Sequence, residues 1–335
     1  MQITVLSGGV GGARFVRGLL LALRQRRSAA GVDGVSGGAE SAPDTVTVIG
    51  NTGDDITIFG LRVCPDLDSL LYTLGGGVDE DQGWGRAADT HELMGELGAL
   101  GVQPQWFGLG DKDLATHVAR SLWLGQGLSL SQVTARLASR WGLPDQGVVL
   151  LPVTDTPIET HVVIGGDDGQ ERAIHFQEWW VKERAAVLAH RFTVAGLGQA
   201  TPAPGVLEAI RGADVVVLPP SNPVVSIGII LGVPGVRDAL RGARAPIIGV
   251  SPLIGGHPVR GHADACLAPL GVEVSAAGVA GLYDDFLRGW LVDDADASAS
   301  YPAGVTVRHL DLLMRDLDGA ARIAGAALDL AEQLR

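Results

Sequence analysis

Four glycines occupy five consecutive positions, residues 8–12, between an apolar run and a segment of helical periodicity. The apolar run ITVLS at residues 3–7 is typical of a buried strand, and residues 13–27 place Phe15 and Leu19 on one helical stripe. Glycines at such a junction let the chain turn tightly and let other groups approach the backbone closely. The segment therefore predicts a strand–turn–helix unit, from which parallel α/β sheets are built.

Strand-like runs of Val, Ile and Leu recur along the chain and alternate with helical patterns. The strand-like runs lie at residues 45–51, 147–153, 159–165, 172–176, 214–220 and 245–252, and the helical patterns at 114–125, 129–141, 204–212, 235–242 and 318–334. Runs without polar alternation are typical of parallel strands that are covered on both faces. We therefore predict an α/β fold, a Rossmann-like and mostly parallel sheet with helices on both faces.

Two segments depart from this alternation. Residues 64–144 have little strand character, so we expect a nucleotide-binding core at 1–63 and 145–335 and a mainly helical insertion, or second lobe, at 64–144. Residues 28–43 are small, polar and rich in glycine. This composition predicts an exposed loop between the first helix and the second strand.

Charge and cysteine content limit the classes of partner. The net charge is −13 at pH 7, and no basic block exceeds RQRR at residues 24–27. Nucleic acids and membrane surfaces bind dense cationic patches, so we expect neither as a partner. The two cysteines have no CxxC spacing, and the sequence shows no basic leader and no apolar stretch of about 20 residues. These features favour a cytoplasmic protein with reduced thiols.

The glycine segment is a candidate phosphate site, because N–H groups at a helix N-terminus bind anions. The spacing of Gly8, Gly9, Gly11 and Gly12 does not match G-x-G-x-x-G, and the lysine of a P-loop is missing. A tight turn without a ligand is the alternative. A nicotinamide-binding site would need an acidic residue about 20 positions on, which the sequence does not supply.

Polar residues follow three other predicted strands. Asn51, Asp54 and Asp55 come after the second strand, Ser221 and Asn222 after a later one, and Ser251 after the next. Ligands of parallel sheets collect at the carboxyl ends of strands, so we expect these residues to converge. Mg²⁺ is commonly bound by one or two carboxylates together with phosphate oxygens, which makes Asp54, and then Asp55, the predicted metal ligands. A helix cap or an exposed acidic pair is the alternative.

Eight motifs resemble, in order, those of the CofD/FbiA transferases, and most closely the actinobacterial FbiA branch. They are LSGGVGGARF, GNTGDD, GLRVCPDLDSLLYTLGGGVD, GWG, GLGDKDLATH, IHFQEWWV, PPSNPVVSIG and GVSPLIGG, between Val5 and about Trp290. These enzymes act in the biosynthesis of the deazaflavin coenzyme F-420.

The resemblance implies a Mg²⁺-dependent transferase of substituted phosphate groups. A three-carbon acid joined through a diphosphate to guanosine gives its phospho-acid group to the ribityl 5′-hydroxyl of the deazaflavin Fo, and GMP leaves. The product would be coenzyme F-420-0 or its dehydro form. The motifs leave enolpyruvate, lactate and glycerate open as the acid, although the branch favours enolpyruvate. A homodimer is also implied.

The resemblance also assigns residues. Asp54 matches the metal-binding aspartate, while the glycine segment and the Ser221–Asn222 turn match positions around guanosine diphosphate. Asn51 and Ser251, at the ends of other strands, are predicted to join them in the donor nucleotide site. The insertion would contribute to the deazaflavin site through Asp66, Asp68, Gly108 and Lys112. Asp68 would orient the ribityl hydroxyl. Some relatives carry a basic residue where this chain has Gly108, and Lys112 is a nearby substitute.

A non-catalytic regulator that binds nucleotides or nucleotide sugars is the alternative function, because such proteins of the CofD-like superfamily share the glycine segment. The motifs VCPDLDSLLYTLGGG and HFQEWWV favour the transferase, since only a transferase needs an acceptor pocket.

Overall fold

Seven parallel strands form the central sheet of the protein, in a computed structural model that describes residues 1–31, 44–166 and 169–335. The strands of the described residues are β1 (Gln2–Ser7), β2 (Thr45–Gly50), β3 (Ile56–Ile58), β4 (Leu61–Val63), β5 (Val148–Pro152), β6 (Glu159–Gly165), β7 (Glu171–His175), β8 (Ala189–Ala195), β9 (Val215–Leu218), β10 (Ile247–Val250), β11 (Leu253–Ile254), β12 (His257–Pro258), β13 (Gly289–Val292) and β14 (Thr306–His309).

The helices surround this sheet. They are α1 (Gly9–Ala29), α2 (Pro65–Leu74), α3 (Glu92–Ala99), α4 (Asp111–Gly125), α5 (Leu130–Arg140), α6 (Val206–Arg211), α7 (Ile227–Gly232), α8 (Val236–Arg241), α9 (Ala263–Leu267), α10 (Ala276–Gly281) and α11 (Leu317–Gln333). A single π-helical turn spans Glu178–Lys182. None of the helices in the described ranges is both long and apolar enough to cross a membrane.

The strand order in the central sheet is β14-β13-β10-β9-β1-β2-β5, and every neighbouring pair is parallel. The predicted α/β class and mostly parallel sheet are confirmed. From β1 the chain moves through α1 to β2 on one side, whereas β9 and β10 lie on the other side. This reversal of strand order opens a crevice beyond the carboxyl ends of β1 and β9, where α/β proteins bind ligands.

Alternate residues of the strands pack into two apolar cores, one on each face of the sheet. On one face, Val5 and Val48 pack with α1, α2, α5 and α11. On the other face, Leu6 and Ile49 pack with α6–α10 and the strands β6–β8. Burial on both faces explains why these strands lack the polar alternation of a half-exposed sheet.

Three strands form a second sheet that the sequence did not predict as a separate unit. The order is β7-β6-β8, and both pairs are antiparallel. The runs at 159–165 and 172–176 were predicted as strands, but β8 was not. Because the short connection between β6 and β7 cannot make the long crossover that parallel strands need, the two strands pair as a hairpin.

The helical character of residues 64–144 is confirmed, since they contain α2–α5 and, as the only described β-pairing, an isolated bridge between Val78 and Arg86. α2 and α5 pack on the central sheet. α3 and the start of α4 instead pack on the β3–β4 hairpin. The division into a core and a second lobe stays a prediction. The predicted loop at 28–43 lies mostly outside the described residues, and α1 extends to Ala29.

We predict that Gly18→Ala lowers the free energy of unfolding by about 1–3 kcal/mol, the range for overpacked cores. A Cβ atom at Gly18 would lie 2.5 Å from the main-chain carbon of Ala320, so α1 and α11 would have to separate. Gly95→Ala in α3 is the matched control. A Cβ there meets nothing within 4 Å, so this change should stabilise the protein by about 0.5–1 kcal/mol. Urea unfolding measures both, and equal effects would contradict the packing argument.

Candidate functional site

A cavity of about 700 Å³ lies at the crevice beyond the carboxyl ends of β1 and β9. Its walls come from the turn after β1, the start of α2, the first turns of α4, and the loops after β9 and β10. Among the residues predicted for a site, those that line it are Gly8, Gly9, Gly11, Asp54, Asp66, Asp68, Gly108, Ser221, Asn222 and Ser251. The predicted convergence of strand-end loops is therefore what the structure shows.

The glycine turn is held by two side chains from other loops. The Gly9 N–H donates to Asp66 Oδ1 at 2.8 Å, and the Gly8 N–H donates to Ser221 Oγ at 3.2 Å. Gly9 has a φ of +67°, a backbone conformation that favours glycine. Asp66 therefore occupies part of the helix N-terminus at which a phosphate was expected.

Close packing of protein atoms explains two of the remaining glycines. A Cβ at Gly11 would lie 2.5 Å from the carbonyl oxygen of Pro220, and a Cβ at Gly12 would overlap Ser7 Oγ. Gly12 does not line the cavity, which corrects its prediction as a phosphate-binding residue. These glycines bring α1 against its own strand and against the loop after β9.

Two N–H donors of the first helical turn remain for a ligand. Val10 and Gly11 line the cavity, and the N–H groups at the start of a helix have no intrahelical acceptor. Within the described parts of the chain, neither N–H has a hydrogen-bond partner outside α1. Together with the helix dipole they favour an anion at this wall.

Two buried carboxylates face the cavity beside the glycine turn. The side-chain amide of Asn51 donates to Asp66 Oδ2 at 2.9 Å and to Asp54 Oδ1 at 3.3 Å, which brings the two acids to one point. Burial raises the pKa of Asp54 well above its usual range, and the neighbouring Asp66 raises it further. Burial also raises the pKa of Asp66 to about 6, although the hydrogen bonds from Asn51 and Gly9 lower it.

This carboxylate pair fits a divalent cation. Asp54 and Asp66 share one amide and have no positive counter-ion among the residues that the structure describes, and a cation between them would supply one. In the described residues, no group of three or more His, Cys, Asp or Glu side chains could hold a metal ion. Mg²⁺ does not need such a cage, because it is usually held by one or two carboxylates with water and phosphate oxygens.

Asp55, the second predicted metal ligand, points away from the cavity. Its Oδ2 atom lies 3.5 Å from Arg62 Nη2 and accepts a hydrogen bond from the Cys64 thiol at 3.0 Å. Burial raises the pKa of Asp55 to about 7, although Arg62 opposes the shift. The structure thus corrects the predicted Asp54–Asp55 ligand pair. Asp66, which was predicted on the acceptor side, is the carboxylate beside Asp54.

Asp68 lines the cavity and is held by a buried arginine that the sequence analysis missed. Arg120 is 1% exposed, and its guanidinium donates to both carboxylate oxygens of Asp68. His117 lies beside this pair, with Nδ1 3.7 Å from Asp68 Oδ2 and Nε2 3.2 Å from Asp113 Oδ2. Tyr72 donates to Asp113 at 2.5 Å. The polar spacing 113, 117 and 120 on one face of α4 was the available signal.

The polar residues of the two later loops mainly fix those loops. Ser221 Oγ donates to the Gly8 carbonyl oxygen at 2.8 Å, and Asn222 Oδ1 accepts from the N–H groups of Val224 and Val225. Ser251 Oγ donates to the Leu253 carbonyl oxygen. These side chains therefore shape the cavity wall before any ligand is bound.

Lys112 does not reach the cavity. Its ammonium donates to the carbonyl oxygens of Ala87 and Ala88, whereas Gly108 does line the cavity. This position of Lys112 corrects its prediction as a direct contact to an acceptor.

Aromatic side chains form part of the cavity wall. Trp84, Phe107, Phe176 and Trp180 line it. Trp179, the neighbour of Trp180, is instead fully buried in the core. Flat rings of this kind can bind a planar ligand by stacking.

Comparison with known proteins identifies close relatives. The family profile described as 2-phospho-L-lactate transferase CofD matches residues 3–321. A protein of Thermobifida fusca named phosphoenolpyruvate transferase is 56% identical over 336 residues, covering 100% of this chain and 99% of the relative. A protein of Mycolicibacterium smegmatis with the same name is 50% identical over 337 residues, covering 99% of each chain.

The fold is also found in a solved structure. The crystal structure of a UPF0052-family protein of Bacillus halodurans aligns with a TM-score of 0.62 and 16% identity, over 97% of this chain and 98% of that chain. At this identity the likeness confirms the fold alone.

We predict that Arg120→Met lowers the free energy of unfolding by about 3–5 kcal/mol, because Asp68 is left as an unpaired buried charge. The double variant Arg120→Met/Asp68→Asn should recover part of the lost free energy of unfolding, because it no longer buries the unpaired charge. Arg315→Met, which breaks an exposed ion pair with Asp311, is the control and should cost no more than about 1 kcal/mol. Urea unfolding measures all three. A loss at Arg120 as small as that at Arg315 would contradict the assignment of Asp68–Arg120 as a buried pair.

Proposed function

Because this chain belongs to the CofD family, we propose that it transfers a phosphorylated three-carbon acid to the ribityl 5′-hydroxyl of the deazaflavin Fo. The donor is the acid joined through a diphosphate to guanosine, and GMP is the leaving group. The names of the relatives favour phosphoenolpyruvate as the transferred group. The product is then the dehydro form of coenzyme F-420-0.

The observation that carries this proposal is the combination of groups in one cavity. An anion-binding helix start, the Asp54–Asp66 pair and the fixed carboxylate of Asp68 all face the same space, beside an aromatic wall. Transfer of a phosphoryl-type group needs the two substrates in line and the charge neutralised more than it needs a covalent nucleophile. The cavity offers a donor side and an acceptor side for this purpose.

On the donor side, the N–H groups of Val10 and Gly11 bind diphosphate oxygens, and Asp54 and Asp66 hold Mg²⁺. The metal would supply positive charge to the diphosphate, in addition to that of the helix start. A helix start alone stabilises an anion by only about 0.3–1 kcal/mol. The carboxylate pair is therefore an essential part of the donor site.

On the acceptor side, Asp68 accepts a hydrogen bond from the ribityl 5′-hydroxyl and orients its oxygen towards the phosphorus. Arg120 keeps the carboxylate in one position. In the reaction, the bond from the hydroxyl oxygen to the phosphorus forms, the bond from the phosphorus to the GMP oxygen breaks, and the hydroxyl proton passes to Asp68. The aromatic wall holds the deazaflavin ring and excludes water.

The test of the proposed function is a reaction with Fo, Mg²⁺ and each of the guanosine-diphosphate-linked acids, followed by mass spectrometry. The expected products are GMP and a deazaflavin that carries the phospho-acid, formed fastest from the enolpyruvyl donor. A protein that binds the nucleotide without consuming Fo would instead be the regulator. Size-exclusion chromatography with light scattering of the same preparation tests the homodimer, which stays a prediction.

We predict that Asp54→Asn and Asp66→Asn each reduce turnover at least about 100-fold, because each removes a metal ligand and a charge. Both variants should also bind Mn²⁺, a substitute for Mg²⁺, more weakly than the wild-type protein does when GDP is present. The control is Asp264→Asn. Asp264 is exposed and is close in sequence to residues that line the cavity, and its variant should retain activity. Near-normal turnover of either variant at saturating Mg²⁺ would remove that aspartate from the metal site.

A further inference from the structure

Two arginines meet at the wall of the cavity, and the function described above has no role for either. Arg14 lies on α1 in the turn that follows the glycines, and Arg260 lies in the loop after β12; both line the cavity. A Cβ atom at Gly83 would lie 2.8 Å from Arg260 Nη1 and 3.5 Å from Arg14 Nη2. The two guanidinium groups therefore approach each other across Gly83.

Main-chain carbonyls, not carboxylates, hold these arginines. Arg14 Nη2 donates to the carbonyl oxygen of Glu80 at 3.2 Å, and Arg260 Nη2 donates to that of Gln82. Throughout residues 1–31, 44–166 and 169–335, neither guanidinium has a carboxylate within ion-pair distance. Both guanidinium groups keep most of their five N–H donors for another partner.

The residue whose carbonyl oxygen accepts from Arg14 has its own carboxylate bound elsewhere. The Glu80 carboxylate pairs with Arg17, one turn further along α1, and Arg17 does not line the cavity. Burial lowers the pKa of Arg260, and the neighbouring charge of Arg14 lowers it further. Arg14 is half-buried and Arg260 is exposed, so water screens the repulsion between the two like charges only in part, and an anion between them would stabilise the pair.

We propose that Arg14 and Arg260 bind the carboxylate of the transferred three-carbon acid. The inference rests on the proposed function, which requires a donor with two anionic parts, a diphosphate and a carboxylate. The diphosphate has the N–H groups of the first helical turn and the Asp54–Asp66 metal site. The carboxylate needs a separate cationic site, and a guanidinium fork matches its geometry with two parallel hydrogen bonds.

This assignment also explains what the pair selects. Enolpyruvate, lactate and glycerate all carry a carboxylate, so Arg14 and Arg260 would require an acid without distinguishing among the three. The choice among the acids must then depend on apolar or hydroxyl contacts elsewhere in the cavity.

The test compares four probes that differ in their anionic groups. Fo has no phosphate, GDP has a diphosphate, the 5′-phosphate of Fo has a phosphate monoester, and the phosphoenolpyruvyl deazaflavin product has a phosphodiester and a carboxylate. Binding is measured by deazaflavin fluorescence, and for GDP by calorimetry. Arg14→Gln and Arg260→Gln should each weaken binding of the product about 10- to 100-fold, as expected for a charge-assisted hydrogen bond. Both should leave Fo, its 5′-phosphate and GDP within twofold. Arg14→Lys should give a smaller loss, because a lysine keeps the charge but loses the fork.

Arg17→Gln is the matched control and should leave all four affinities unchanged. Retained Fo binding shows that each variant is folded. An equal loss for GDP or for the 5′-phosphate would assign the arginines to phosphate and overturn the proposal, as would an unchanged affinity for the product. A wild-type protein that binds the product but does not consume Fo would contradict the proposed function and not this carboxylate site.

Discussion

The side-chain amide of Asn51 is the contact on which the site depends. It binds Asp54, Asp66 and the carbonyl oxygen of Val225, and its own oxygen accepts from the Gly53 N–H. These four bonds join the end of β2, the start of α2 and the loop before α7. Asp66 then reaches the glycine turn through the Gly9 N–H, so one buried amide sets the positions of both carboxylates relative to α1.

The charged residues in and around the site form two groups, those with a partner of opposite charge and those without. Asp55 and Asp68 have arginine partners, Arg62 and Arg120, within the protein. The Asp54–Asp66 pair and the Arg14–Arg260 pair have no such partners among the described residues. Unpaired buried charges are costly, so the Asp54–Asp66 pair at the cavity wall indicates a ligand that completes it. The half-buried Arg14 and the exposed Arg260 line the same cavity without a carboxylate partner. A donor with a metal-bound diphosphate and a carboxylate would complete both pairs at once.

The sequence predicted the fold class and the strand-end convergence, and ten of the fourteen residues predicted for the site line the cavity, because strand periodicity and glycine turns are local signals. It could not predict which carboxylates would face each other. Asp54 and Asp55 are adjacent in the chain, but they lie in the turn between β2 and β3, where the Asp55 N–H donates to the Thr52 carbonyl oxygen. This turn sends Asp55 towards Arg62 and leaves Asp66 beside Asp54. The role of Gly11 was also hidden, because the Pro220 carbonyl that excludes a side chain there is more than 200 positions away.

The most direct test of this account is a crystal structure with GDP and Mn²⁺, in which anomalous scattering locates the metal. We expect one manganese ion between the carboxylates of Asp54 and Asp66, with the diphosphate against the N–H groups of Val10 and Gly11. A metal bound by Asp55, or a diphosphate away from the start of α1, would contradict it.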